Sequence, residues 1–208
     1  QGVPRSAVFT SARAGILILM EGQVPVRTLS ILLGLLLAAP GHGQDWDQIS
    51  GQSRLRFVGT MEGEAFEGTF HRFTAMIRFD PKALHEARFS VEIDVVSADT
   101  RNRQRDQALR QEEWFDTERF PRATYRANRF RSLGRNRFAA DGTLTIKGVS
   151  RAFTLPFSWH DTRDEAELGA RVNLRRTDFN IGEGEWADGQ SVGRDVQVLV
   201  DLRLRRAD

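Results

Sequence analysis

The chain has 208 residues, a formal net charge of +2 and no cysteine. A hydrophobic share of 40% and a charged share of 28% suit one globular domain, and they exclude a charge-dominated disordered chain and a multi-span membrane protein. The lack of cysteine excludes disulfides, a thiol nucleophile, thiolate metal sites, iron–sulfur clusters and lipid-modified cysteine.

The basic residues do not indicate a nucleic-acid partner. Arg5, Arg13 and Arg27 against Glu21 account for the whole +2, so residues 44–208 are charge-balanced. Arginine clusters at residues 101–110 and 126–137 have acidic residues nearby. We therefore expect solvated faces and no nucleic-acid binding, with a ligand's polar or phosphate head group as the alternative partner of these clusters.

Residues 29–39 read LSILLGLLLAA, after Arg27 and before the small residues Gly41 and Gly43. This pattern is typical of a secretory signal peptide, and the run is short for a bilayer span. We expect cleavage after Gly43 or Gly41, with an uncleaved N-terminal anchor as the alternative. The predicted organisation is an N-terminal extension with signal peptide at 1–43 and one domain at 44–208. The predicted location is periplasmic, and a chain without cysteine is not a lipoprotein.

From residue 45 onward, hydrophobic residues recur at every second position, which indicates half-buried β-strands. A change of parity between Phe70 and Phe73 predicts a bulge or bend within one long strand. The pattern predicts an all-β fold, an eight-stranded closed antiparallel barrel. The predicted strands cover residues 55–57, 66–79, 89–95, 123–130, 138–146, 153–159, 168–174 and 196–204.

Residues 102–114 break this period and predict one short helical insertion that packs on the barrel or closes its mouth. An eight-stranded barrel is filled by its own side chains or holds one slender ligand. Inward phenylalanines here alternate with small residues such as Ala75, Ala140 and Ala170. This mixture fits a cavity and a filled core equally well.

The sequence carries little that indicates catalysis. The four histidines lack metal-ligand spacing, and neither a nucleophile elbow nor a phosphate-binding loop is present. Asp178, Asp188 and Asp195 are the carboxylates that could meet in a cleft. Surface ion pairing is the expected role for them, and we expect no enzyme activity.

Several short motifs stand in a fixed order along the chain. They are Val95-Val96-Ser97-Ala98-Asp99-Thr100, Arg105-Asp106-x-x-Leu109, Trp114-Phe115-Asp116, Phe120-Pro121-x-x-Thr124-Tyr125, Gly142-x-Leu144-Thr145-Ile146-Lys147-Gly148-Val149-Ser150-Arg151 and Arg176-x-Asp178-Phe179-x-Ile181-Gly182. With this order, residues 45–208 resemble the YceI-like family of exported polyisoprenoid-binding proteins. The resemblance implies a lipocalin-like barrel whose interior holds an extended isoprenoid chain, such as the tail of a quinone or of a polyprenyl phosphate.

One stretch departs from the family pattern. Residues 59–64 read GTMEGE where family members often carry a histidine. Together with Phe66-x-Gly68-x-Phe70 and Phe79-Asp80-Pro81, this stretch is similar to the branch associated with cytochrome b561-type membrane proteins. The resemblance thus implies such a cytochrome as a partner.

Isoprenoid binding requires apolar walls, because such a tail has almost no hydrogen-bonding capacity. The predicted wall residues are Phe57, Phe70, Phe73, Ile77, Ile93, Val95, Leu109, Trp114, Phe115, Tyr125, Leu144, Ile146, Phe153, Phe157 and Phe179. Arg105 and Arg176 are the predicted head-group ligands, oriented by Asp106 and Asp178, since a guanidinium suits phosphate or carbonyl oxygens. The alternative for both arginines is a structural ion pair.

Two non-catalytic hypotheses follow. The first is a periplasmic carrier or store for an isoprenoid lipid or quinone, with no cofactor other than that lipid and no metal. The second is an interaction module with a side-chain-filled barrel that docks on a membrane cytochrome. A homodimer is compatible with both.

Overall fold

A computed structural model describes residues 43–207. The signal-peptide segment at residues 29–39 lies outside this range. The strands are β1 (Asp45–Gln48), β2 (Arg54–Met61), β3 (Glu64–Phe70), β4 (Phe73–Arg78), β5 (Arg88–Asp94), β6 (Ala98–Asp99), β7 (Arg122–Gly134), β8 (Arg137–Ile146), β9 (Val149–Asp161), β10 (Glu165–Arg175) and β11 (Asp195–Arg206). The helix α1 spans Arg103–Leu109, and short 3-10 turns cover Val95–Ser97, Arg176–Phe179 and Gly184–Trp186.

The strands form one closed antiparallel barrel, as the alternating pattern predicts. β1 and β2 are successive parts of one long strand, and so are β3 and β4. The ring is closed by β11, which pairs with β1 through residues 204–206 and with β2 through residues 197–201. Counted this way, eight long strands surround the interior.

The predicted bend between Phe70 and Phe73 is confirmed. β3 ends at Phe70 and β4 begins at Phe73, with His71 and Arg72 between them. Arg72 accepts a backbone hydrogen bond from Asp94 N at 3.0 Å, so the chain stays attached to β5 while the side-chain parity changes. Phe70 and Phe73 therefore both face the interior.

The helical insertion is shorter than the sequence pattern predicts. Asn102 caps α1, because its side chain accepts a hydrogen bond from Arg105 N, and the helix ends at Leu109 rather than near Trp114. If the helix continued past Leu109, the side chains of Trp114 and Phe115 would point in other directions around its axis than Leu109 does. They reach the interior together with Leu109 because the chain leaves the helix and turns. Within residues 43–207, no helix has the length and apolar composition needed to cross a bilayer.

One end of the barrel is filled by aromatic side chains. We call Trp46, Phe79, Phe138, Phe157 and Trp159 the aromatic plug; each is at most 6% exposed. The Phe79 ring centroid lies 4.8 Å from that of Trp159, 5.1 Å from Phe138 and 5.3 Å from Phe157. The indole N–H of Trp46 donates to Phe79 O at 2.9 Å, which joins β1 to the segment after β4.

The strand β1 brings Trp46 into the plug. Trp46 pairs with Ile77 of β4 and with Arg206 of β11. The sequence pattern did not predict this strand, because four residues are too few for an alternation to be recognised.

Candidate ligand-binding cavity

The other end of the barrel surrounds a partly open cavity of about 190 Å³. A buried water needs about 10–15 Å³ on this measure, so the space admits a ligand far larger than a water molecule. Its wall is built by aromatic and branched aliphatic side chains from the strands, from α1 and from the segment after β10. Such a surface binds through the removal of apolar area from water.

All the predicted wall residues except Phe157 line this cavity. Phe157 points inward from β9 as predicted, but it lies in the aromatic plug, 5.2 Å from Phe89 between ring centroids. Whether these residues contact a ligand stays a prediction. The structure shows that they surround one space.

Several wall residues were not predicted as site residues. Most occupy inward positions of strands, where the alternation could have identified them, and they are Leu55, Phe66, Val91, Leu155, Leu168, Val172, Leu174, Val196, Val198, Val200 and Leu202. Ile181 and Val192 come from the irregular segment between β10 and β11. No periodic signal marks residues in such a segment.

Tyr125 is the one tyrosine of the chain and a wall residue. Its hydroxyl donates to Ala140 O at 2.7 Å and is buried. Burial, together with the nearby Asp141 carboxylate, raises the pKa of Tyr125 well above its ordinary value of 10.0. The hydroxyl therefore stays neutral, with its hydrogen-bond partner inside the barrel.

Arg176 is 4% exposed and lies at the mouth of the cavity, where it donates to five backbone carbonyls. Nε donates to Gly193 (2.9 Å), Nη1 to Ile181 (2.8 Å) and Gly182 (2.9 Å), and Nη2 to Val192 (2.7 Å) and Trp186. A guanidinium has five N–H groups, so none is left for a head group. The predicted partner Asp178 is exposed and is not among these acceptors.

The carbonyls that Arg176 binds belong to one segment, residues 180–194, which we call the strap. Gly182 has φ +71°, and a Cβ there would overlap the Arg176 guanidinium, so this position needs glycine. Burial lowers the pKa of Arg176, and the nearby Arg194 adds to this, yet the group stays charged at any physiological pH. Arg176 is thus the centre of the strap's fold.

Arg105 does not line the cavity wall. Its guanidinium lies over the Phe66 ring, with Cζ 4.1 Å from the centroid, while Nε donates to Thr100 Oγ1 at 2.9 Å. Asp106 accepts from Thr100 N (2.9 Å) and Oγ1 (2.7 Å). The predicted link between Arg105 and Asp106 therefore runs through Thr100 and is not a direct ion pair.

The carboxylates that could have formed a catalytic group share no hydrogen bond with one another among residues 43–207. Asp178, Asp188 and Asp195 are all exposed. Asp195 pairs with Arg175 at 4.0 Å, and Asp188 accepts from Gln190 N at 2.9 Å. Over residues 43–207, no group of three or more His, Asp or Glu side chains is arranged to hold a metal ion.

The arginine-rich hairpin of β7 and β8 faces solvent. Arg126, Arg129, Arg131, Arg135 and Arg137 are exposed. Arg131 Nε lies 3.4 Å from an Asp141 oxygen. These side chains lie outside the cavity wall, in agreement with a solvated face.

The fold matches known structures over most of the chain. Burkholderia cenocepacia BcnA superposes with a TM-score of 0.73 at 28% identity, covering 76% of this chain and 99% of BcnA. A polyisoprenoid binding domain from Saccharophagus degradans gives a TM-score of 0.63 at 13% identity, covering 78% of this chain and 98% of that domain. At that identity the second likeness shows the fold alone.

Sequence comparison agrees with the fold. Protein YceI of Salmonella arizonae is 30% identical over 143 residues, which cover 65% of this chain and 71% of that protein. A UPF0312 protein of Vibrio parahaemolyticus is 25% identical over 160 residues, covering 74% of this chain and 85% of the relative. The profile of the YceI-like domain matches residues 46–204. The chain therefore belongs to the YceI-like family.

Proposed function

We propose that this protein binds an isoprenoid lipid in the cavity and carries or stores it without a chemical step. The observation that carries this proposal is the apolar cavity itself. An isoprenoid tail gains affinity mainly from buried apolar area, about 25 cal/mol per Å². Branched and aromatic walls such as those of Val198 and Phe153 match the methyl-branched surface of such a tail.

The polar groups of the wall favour a tail inside and a head group outside. The Tyr125 hydroxyl donates to Ala140 O, and every N–H of Arg176 is already bound to a carbonyl. A charged head group buried among these walls would lose its hydration without gaining partners. The proposed ligands are therefore isoprenoid quinones or polyprenyl phosphates whose head group would lie outside these apolar walls.

The wider setting is also part of the proposal. The signal-peptide pattern at residues 29–39 supports export to the periplasm, where such a lipid would need shielding from water. A cytochrome b561-type membrane protein is a proposed partner that would exchange a quinone with this chain. The Saccharophagus degradans domain, which has the same fold, is a polyisoprenoid binding domain, and this is consistent with the ligand class.

Mass spectrometry of lipid extracted from the purified protein tests the proposal. We expect an isoprenoid lipid in near-stoichiometric amount. Stripped protein should rebind a menaquinone with a tetraprenyl tail, measured through quenching of tryptophan fluorescence, and geranylgeranyl diphosphate should compete. Straight-chain fatty acid in place of isoprenoid, or no binding of either probe, would overturn the proposal.

The interaction-module hypothesis makes a different prediction. Its premise of a barrel filled throughout does not match the structure, since the cavity occupies one end. Docking on a cytochrome remains compatible with lipid binding. Binding of the stripped protein to reconstituted cytochrome, unchanged by added menaquinone, would favour docking without lipid exchange.

A further inference from the structure

The barrel wall is incomplete beside β3. β3 pairs with β2 along its whole length, from Glu64 to Phe70, but on its other side only Thr69 and Phe70 pair, with β6. Residues 64–68 thus have no strand partner on that side within the described chain. Toward the aromatic plug the wall is continuous, because β4 pairs with β5 from Phe73 to Arg78.

We call the unpaired side of residues 64–68 the seam. The helix α1 covers the seam through few contacts. Leu109 is its one buried residue and packs with Phe57 and Ala98. The guanidinium of Arg105 lies over Phe66, a half-buried wall residue of β3. The side-chain hydrogen bonds of α1 stay local, to Thr100 and within residues 99–111, and none joins it to β2 or β3.

The strap covers the mouth in a different manner. Five N–H groups of Arg176 hold its backbone, and Gly193 N donates to Thr60 O while Glu62 N donates to Ser191 O, both at 2.8 Å. Lys147 Nζ adds bonds of 2.7 Å to Asn180 O and to Glu183. Displacing the strap would break a network of hydrogen bonds between segments distant in the chain, whereas displacing α1 breaks apolar contacts, one cation–π contact and the bonds of Arg105 and Asp106 to the nearby Thr100.

We propose that the ligand enters and leaves through the seam between β3 and α1. In this proposal α1 is the gate, and the Arg105–Phe66 contact holds it closed. This rests on the proposed lipid-binding function. Opening exposes Phe57, Phe66 and Phe70 as a continuous apolar path into the cavity. Arg105 is then a positioning residue that controls passage and does not contact the bound ligand.

The test measures rates as well as affinity. Stopped-flow quenching with the tetraprenyl menaquinone is compared for wild type, Arg105→Gln, Arg105→Lys and the control Arg103→Gln. Arg103 is an exposed α1 arginine whose side chain has no hydrogen bond or ion pair among residues 43–207. We expect Arg105→Gln to accelerate association and dissociation by one common factor, roughly two- to thirty-fold, with Kd unchanged. Arg105→Lys should lie between, and Arg103→Gln should match wild type.

Each other outcome has a definite meaning. Faster dissociation with unchanged association would make Arg105 a head-group ligand and overturn the gate, while lipid binding itself would stand. Unchanged rates in Arg105→Gln would place the route elsewhere. Hydrogen exchange supplies a second readout: amides of residues 103–111 should exchange faster in Arg105→Gln, while those of β8 and β9 keep their rates. If wild type binds neither the menaquinone nor geranylgeranyl diphosphate, the proposed function fails and the gate fails with it.

Discussion

The aromatic plug and the cavity are built from the same alternating strands, yet one is packed and the other is hollow. Phe79 is fully buried and touches the rings of Phe138, Phe157 and Trp159. Phe153, an equally inward side chain of β9, is only half-buried and faces the cavity. Alternation therefore selects which side chains point inward, but it does not decide whether they meet.

The connecting segments make the difference. After β4 the chain adds Phe79, Ala83 and Ala87 to the interior, each at most 2% exposed. At the cavity end, α1 and the strap lie over the opening and contribute wall residues such as Leu109 and Ile181. The difference between the packed end and the hollow end therefore comes from the segments that cover them, not from the strands.

Removing one ring from each end gives the largest expected contrast. Phe79→Ala should lower the free energy of unfolding by about 3–5 kcal/mol, because it opens a void among close-packed rings. Phe153→Ala should cost about 1–2 kcal/mol, because its ring already borders empty space and loses fewer contacts. Urea unfolding of lipid-free protein measures both, and equal losses would contradict the contrast.

Phe79→Leu keeps the comparison measurable if the alanine variant does not fold. This change retains most of the apolar volume and should lower the unfolding free energy by less than Phe79→Ala. Phe153→Leu is its counterpart at the cavity. We expect the Phe79 variant to be the less stable of the two.

Adding volume should produce the opposite asymmetry. Ala140 is fully buried outside the cavity wall, whereas Ala75, 3% exposed, belongs to that wall. Ala140→Leu should lose about 1–3 kcal/mol through overpacking. Ala75→Leu should keep its unfolding free energy and bind menaquinone more weakly, because the new methyls occupy ligand space. A destabilised Ala75→Leu with unchanged affinity would mean that this wall does not hold the ligand.

Much of the barrel was predictable from residues alone. Period-two alternation identified the eight long strands, and the parity change between Phe70 and Phe73 located the bend. The same alternation placed Phe153 and Ile146 on the interior face. These are local consequences of strand geometry, in which successive side chains point to opposite faces.

The division of the interior was not predictable in the same way. Phe157 and Phe153 lie on the same face of one strand, yet only the second lines the cavity. Which of them meets other rings depends on segments distant in sequence, such as the one carrying Phe79. The role of Arg176 was not predictable either. Its five acceptors are backbone carbonyls of an irregular segment, and every residue type carries a backbone carbonyl, so the sequence does not identify them.

The smallest expected effect concerns the charge pair that holds β1 beside the plug. Asp45 accepts two hydrogen bonds from Arg78, both of 2.7 Å, and this contact lowers the pKa of Asp45 below its ordinary value of 3.8. A lowered folded-state pKa means that the pair stabilises the protein above about pH 4 and that this contribution is lost as pH falls through the lowered pKa. Asp45→Asn should therefore lower the free energy of unfolding by up to about 1 kcal/mol at pH 7, since both groups are largely exposed, and by nothing at pH 2.

Urea unfolding between pH 7 and pH 2 checks whether the unfolding free energies of Asp45→Asn and wild type converge. Asp47→Asn, an exposed neighbour without an ion pair among the described residues, should track wild type throughout. Curves for Asp45→Asn and wild type that stay parallel down to pH 2 would show that the Asp45–Arg78 contact adds nothing to the strand pairing of β1 and the packing of Trp46.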